Sequence, residues 1–101
     1  MRYKKISVNK KEYFGRSEIE FFLKKYNLHW VLNAEIEDAD LEIENRTLIW
    51  NSGDWLYGKW FFGIFKGGVF HGVFENGIFS GGTFKGKWVS GIDLTKKIVK
   101  K

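Results

Sequence analysis

A mainly β chain is predicted, built as a short repeat β-solenoid with one N-terminal amphipathic α-helix as its cap. Two observations predict it. Aromatic rings recur at Trp50, Trp55, Trp60, Phe65, Phe70, Phe74, Phe79, Phe84 and Trp88, at steps of five or four residues. From Trp55 onward each ring is preceded two positions earlier by a glycine, from Gly53 through Gly58, Gly63, Gly68, Gly72, Gly77 and Gly82 to Gly86. A repeat this short decides the fold class before any other signal.

The elements follow in order within one domain over 1–101: an N-terminal strand and helix cap (1–33), a β repeat array (34–91) and a basic tail (92–101). Residues 3–8 read as a short strand. Ser17 and Glu20 have the spacing of a capping box, in which hydroxyl and carboxylate satisfy the first free N–H groups of a helix. Ile19, Phe22, Leu23 and Tyr26 then fall on one stripe, and Lys24 and Lys25 suit the negative end of the helix dipole. A helix over 17–26 is expected. His29-Trp30-Val31-Leu32 reads as a strand. Ala39, Leu41 and Ile43 alternate with Asp38, Asp40, Glu42 and Glu44, which places apolar and acidic sets on opposite faces of a strand. Asn45-Arg46 reads as a turn, after which Leu48 and Trp50 resume the inward set.

In the array, an odd step of five cannot be one uninterrupted strand, because side chains alternate with period two. The chain must turn once per step, leaving three extended residues, Gly-x-aromatic, and two corner residues. The glycine shares a face with the ring two places on, so a side chain there is expected to compete with that ring for volume. Gly67-Gly68, Asn76-Gly77 and Gly81-Gly82 supply corner residues that accept positive φ. An antiparallel β-meander of very short strands is the alternative, since Val73-Phe-Glu-Asn76-Gly77-Ile-Phe79 also carries a hairpin signal.

The step Phe-x-Gly-Gly-x-Phe at 65–70 and 79–84 resembles that of pentapeptide-repeat proteins, and Ala39-Asp40-Leu41 matches the same step. That resemblance covers roughly residues 34–91 and implies a right-handed, four-sided β-solenoid with stacked internal rings. Glycine in place of the usual alanine, internal Trp and two four-residue steps depart from the pattern. The Gly-x-Trp/Phe style is also similar to small uncharacterised repeat proteins of tailed bacteriophages. Aromatic-x-Gly-x-aromatic-x-x-Gly at 70–77 and 84–91 is similar, more weakly, to the membrane-occupation-and-recognition-nexus repeat, which implies the meander.

Composition narrows the chemistry. There is no cysteine, so neither a disulfide framework nor a thiolate metal site is available. No apolar stretch matches a signal peptide or a membrane span, and a cytoplasmic location is expected, the host cytoplasm for a phage-encoded chain. The net charge of +5 is segmental: basic over 1–33, acidic over 34–49, mildly basic over 50–91 and basic again at the end. This balance departs from the strongly acidic surface of the pentapeptide-repeat relatives that mimic DNA, so that function is not carried over.

No catalytic constellation is legible. The serines lack a nucleophile-elbow context, and no Gly-x-Gly-x-x-Gly precedes a helix. The acidic set 38–44 reads as a solvated face, and His29 and His71 as surface histidines. The expectation is no enzyme, no cofactor and no metal. Outward positions of the array carry more: Tyr57, Lys59, Phe61, Phe62, Lys66, His71, Lys85 and Lys87 form the candidate binding set. Tyr57 and Phe62 are also expected to meet the helix. The function expected is a small non-enzymatic interaction protein that presents a rigid β-repeat surface to a macromolecular partner, foremost a protein, as a phage-type factor modulating host or defence machinery. The alternative is a nucleic-acid or nucleotide binder, with outward lysines holding phosphates and aromatic residues stacking bases. No membrane partner is expected. An incompletely covered array end would invite a second copy, so homo-oligomerisation belongs to the expectation.

Overall fold

The computed structural model describes residues 1–98. The last three positions of the expected basic tail lie outside the described residues. Strand β1 (Tyr3–Val8) forms over the expected residues, and turns back into β2 (Lys11–Tyr13), which the sequence reading lacked. Asn9 and Lys10 between them have φ of 52° and 67°, the left-handed pair that a two-residue hairpin turn requires.

Helix α1 (Arg16–Lys25) buries Ile19 and Leu23 and half-buries Phe22 and Tyr26, as the stripe predicts. Its capping box does not form. The cap position is Gly15, in extended conformation and without a side-chain bond, so Ser17 falls inside the helix. Glu20 instead accepts the Tyr3 hydroxyl at 3.0 Å, tying α1 to β1. His29–Leu32 is a short helix, α2, rather than a strand. The reason is remote: Arg2 donates to the carbonyls of Val31, Leu32 and Ala34 at 3.0, 2.9 and 2.8 Å. One guanidinium thus bonds three carbonyls at and just beyond the end of this short helix, of which Val31 O also accepts the Ala34 N–H at 3.2 Å.

Strands β3 (Glu35–Glu44) and β4 (Thr47–Tyr57) form an antiparallel hairpin through Asn45-Arg46, whose φ values are 50° and 63°. On its other edge β3 pairs parallel with β1. Residues 35–44 are therefore a flanking strand and not part of the repeat. Ala39-Asp40-Leu41 fits the repeat step, but its partner is β4 running the opposite way, with Leu41 opposite Trp50.

The coil starts inside β4. Its first half pairs with β6 (Ile64–Phe65) and its second half, at Trp55, with β7 (Val69–Phe70). β5 (Lys59–Trp60) forms the remaining side of that turn and pairs with β8 (Val73–Phe74). The next turn is β9 (Ile78–Phe79), β10 (Thr83–Phe84) and β11 (Lys87–Trp88), and β12 (Ile92–Asp93) begins another. Every pair within the coil is parallel. A meander needs antiparallel neighbours, so the fold is a β-solenoid, of about three turns.

Its section is three-sided, where the pentapeptide resemblance implied four. The rings form three columns, Trp50–Phe65–Phe79, Trp55–Phe70–Phe84 and Trp60–Phe74–Trp88, with neighbours in each column within 7–12° of parallel. Between columns the contacts are edge-on, as in Phe65–Phe70 (5.4 Å, 87°) and Phe70–Phe74 (5.5 Å, 77°). Both are favoured aromatic geometries, worth about 0.5–1.5 kcal/mol per pair beyond burial. Three large rings per layer already touch one another, which leaves no interior for a fourth side. Trp50, Trp55, Trp60, Phe65, Phe70, Phe74 and Phe79 are 0–1 % exposed.

The ends of this ring stack are treated differently. At the start, β3 runs along the outer edge of β4, and Trp30 of α2 lies edge-on to Trp60 at 5.2 Å and 74°. Helix α1, the expected cap, packs instead on β1 and α2. At the far end Asp93 stands opposite Phe79, in the fourth place of the first column, where a ring would continue the repeat. Its carboxylate accepts the N–H groups of Thr95, Lys96 and Ile98 at 2.9, 3.1 and 3.1 Å and the Thr95 hydroxyl. The tail is folded back so that Ile98 packs against the core. The array therefore extends to residue 93, beyond the expected boundary at 91.

Candidate ligand-binding groove

The four-residue steps, irregular in sequence, have a common place in space. Phe70 to Phe74 and Phe84 to Trp88 both span the corner between the second and third sides. In the first turn the same corner, from Trp55 to Trp60, holds one residue more. His71-Gly72-Val73 and Lys85-Gly86-Lys87 thus make tight corners beneath a longer one, Leu56-Tyr57-Gly58-Lys59. The extra residue leaves Tyr57 standing at the rim, 69 % exposed.

Glycine is required on this column because successive turns approach closely. A Cβ built on Gly72 falls 2.1 Å from the Gly58 carbonyl oxygen and 2.6 Å from Trp55 Nε1, and one on Gly86 falls 2.1 Å from the Gly72 oxygen. The obstacle is chiefly the carbonyl of the preceding turn. This differs from the expected competition with the ring two residues on. Backbone bonds from Val73 N–H to Gly58 O and from Lys87 N–H to Gly72 O, each 2.9 Å, hold the turns at that separation.

The outcome is a groove of about 530 Å³, floored by Gly58, Gly72 and Gly86. Tyr57, His71 and Lys85 stand along one side, and Lys59, Val73 and Lys87 along the other. Lys59 and Lys87 each pair in register with Val73, so they lie two rungs of a parallel ladder apart, roughly 10 Å. One carboxylate approaches: Glu75 Oε2 is 3.9 Å from Lys59 Nζ, with the lysine side chain 62 % exposed. Such a contact contributes little in water. The groove is therefore cationic, with a phenol at its mouth.

Five of the eight candidate residues come together here: Tyr57, Lys59, His71, Lys85 and Lys87. The others do not. Phe61 and Phe62 lie one corner further on, edge-on to Trp30 at 6.0 and 5.3 Å, so Phe62 meets α2 rather than the helix over 17–26 expected to receive it with Tyr57. Lys66 occupies the corner between the first and second sides, where its N–H bonds to Trp50 O. The acidic strand face is partly engaged: Glu42 accepts from Asn51, and Glu37 and Asp38 lie beside the Met1 ammonium. Among the described residues no group of three or more His, Asp or Glu is placed to hold a metal ion. No described helix is long and apolar enough to cross a membrane. Sequence reasoning missed the glycine floor, although the coincidence of both four-residue steps with the His71 and Lys85 positions was a usable signal.

Comparison with family models, curated proteins and solved structures finds no match for this chain.

Proposed function

We propose that the chain is a non-enzymatic binding scaffold whose rigid coil presents the glycine-floored corner to an anionic partner. The observation that carries this reading is the convergence of Lys59, Lys85, Lys87 and His71 on one groove from three successive turns. Of the two partner classes expected from the sequence, such a groove favours the anion, since clustered cations with low-dielectric walls raise the local concentration of negative ligands. A phage-type role on host machinery rests on the style of the repeat alone, as does kinship with pentapeptide repeats.

Retention on immobilised heparin, measured against salt, tests the reading. The native chain should bind at low ionic strength and elute in a salt-dependent way. The Lys59→Gln, Lys85→Gln, Lys87→Gln triple variant should elute far earlier than a control with Lys4→Gln, Lys24→Gln and Lys25→Gln, which carries the same net charge. Equal elution of both triples, or no retention of the native chain, would sink it.

A further inference from the structure

Resting on the anion-binding reading, we infer that the groove takes a phosphorylated nucleoside, with the base against Tyr57 and the phosphate among Lys59, Lys85 and Lys87. Size is the first argument. At about 530 Å³ the groove falls within the range of small-ligand sites, about 300–1,000 Å³.

The second argument is what the floor lacks. An acidic peptide binds a β surface most readily by adding a strand to an open edge. Here the floor is a column of glycines crossing successive turns, and Gly58 O and Gly72 O already accept bonds from the following turn. Among the described residues, the edge strands of the small sheet, β5 and β11, lie at the two ends of the groove, two residues long each, and no ladder edge runs along its floor for a peptide backbone to join.

The third is the pairing of chemistries. Lysine heads act as point charges that suit phosphate oxygens. Tyr57 sits at the mouth, 69 % exposed, and is absent from the ring contacts that engage the other large aromatic residues around the coil. An exposed phenol at the mouth of a groove lined by three lysines offers a base a stacking face and its phosphate a counter-charge. Val73 between Lys59 and Lys87 adds an apolar wall for the sugar.

Calorimetric titration of the full chain with ATP, tripolyphosphate and a four-nucleotide oligothymidylate tests this. ATP should bind at least tenfold more tightly than tripolyphosphate. Tyr57→Ala should abolish that difference while leaving tripolyphosphate binding intact, and Tyr57→Phe should preserve it. Lys85→Gln with Lys87→Gln should weaken all three ligands tenfold or more. Tighter binding of the oligonucleotide than of ATP assigns the phosphate to a single strand, and the reverse assigns it to a free nucleotide. If tripolyphosphate binds as well as ATP, the nucleoside assignment is overturned while anion binding stands. If neither binds, both fall.

Discussion

The indole nitrogens show how a ring at a single position can be matched or mismatched to its turn. Trp50 and Trp55 donate Nε1 to Gly53 O and Gly58 O, three residues on, at 3.2 and 3.0 Å. Trp60 Nε1 is buried with no acceptor. An unsatisfied buried donor costs about 1–3 kcal/mol, which offsets part of what the larger ring gains. Trp60→Phe should therefore destabilise less than Trp55→Phe, by about 1 kcal/mol in urea unfolding. Equal losses would show that the orphaned donor is not felt. Gly72→Ala should cost about 1–3 kcal/mol, since its methyl meets backbone that cannot yield without parting two turns. At this scale the sequence was legible for where glycine stands and not for why. The spacing predicts the glycine, but the carbonyl that excludes a Cβ belongs to a turn some fourteen residues earlier.

Among the elements, the most exposed to chemistry is the closing segment after β12. Burial pushes the Asp93 carboxyl up, but hydrogen bonds from the Thr95 hydroxyl and the N–H groups of Ile98, Thr95 and Lys96 outweigh it and hold the group below its ordinary value. A carboxyl whose folded pKa is depressed stabilises fully above the unfolded value, about 3.9, and loses that contribution as pH falls through the folded one. The protection of the amides of residues 94–98, relative to their unstructured exchange rates at the same pH, should thus fall below pH ~4, while tryptophan fluorescence from the first turn stays native. Asp93→Asn should remove this pH dependence; its persistence would locate the titrating group elsewhere. The N-terminal elements divide by the range of their causes. β1, the α1 stripe and the Asn45-Arg46 turn follow from local pattern and were readable. The Asn9-Lys10 turn was overlooked. α2 was misread because its carbonyls are satisfied by Arg2, some thirty residues away. Arg2→Ala should therefore loosen α2 and expose Trp30, seen as a red-shifted emission.

For the whole molecule, stability grows from turn to turn with contact between neighbours, as in other stacked repeats. The first and second layers of rings are sealed on both sides, whereas Phe84 and Trp88 in the third are half-buried. Hydrogen exchange should rank the backbone bonds accordingly. Lys85, Lys87 and Val89, bonded to the second turn, should open before Lys66 and His71, bonded to the first. Uniform protection would mean that the coil opens as one unit. The solenoid was legible from ring spacing alone, but its three sides were not, because the number of sides depends on how many rings fill one layer. The groove was half-legible: its residues are outward by parity, while their convergence needs the turn length. That turn length carries a consequence for altering the chain. Duplicating the fourteen residues from His71 to Phe84 keeps every downstream ring in its own column, lengthening the cylinder by one storey and repeating the cationic ledge. Inserting five residues instead would rotate everything beyond it by a third of a revolution, bringing Lys87 to a different flank from Lys59.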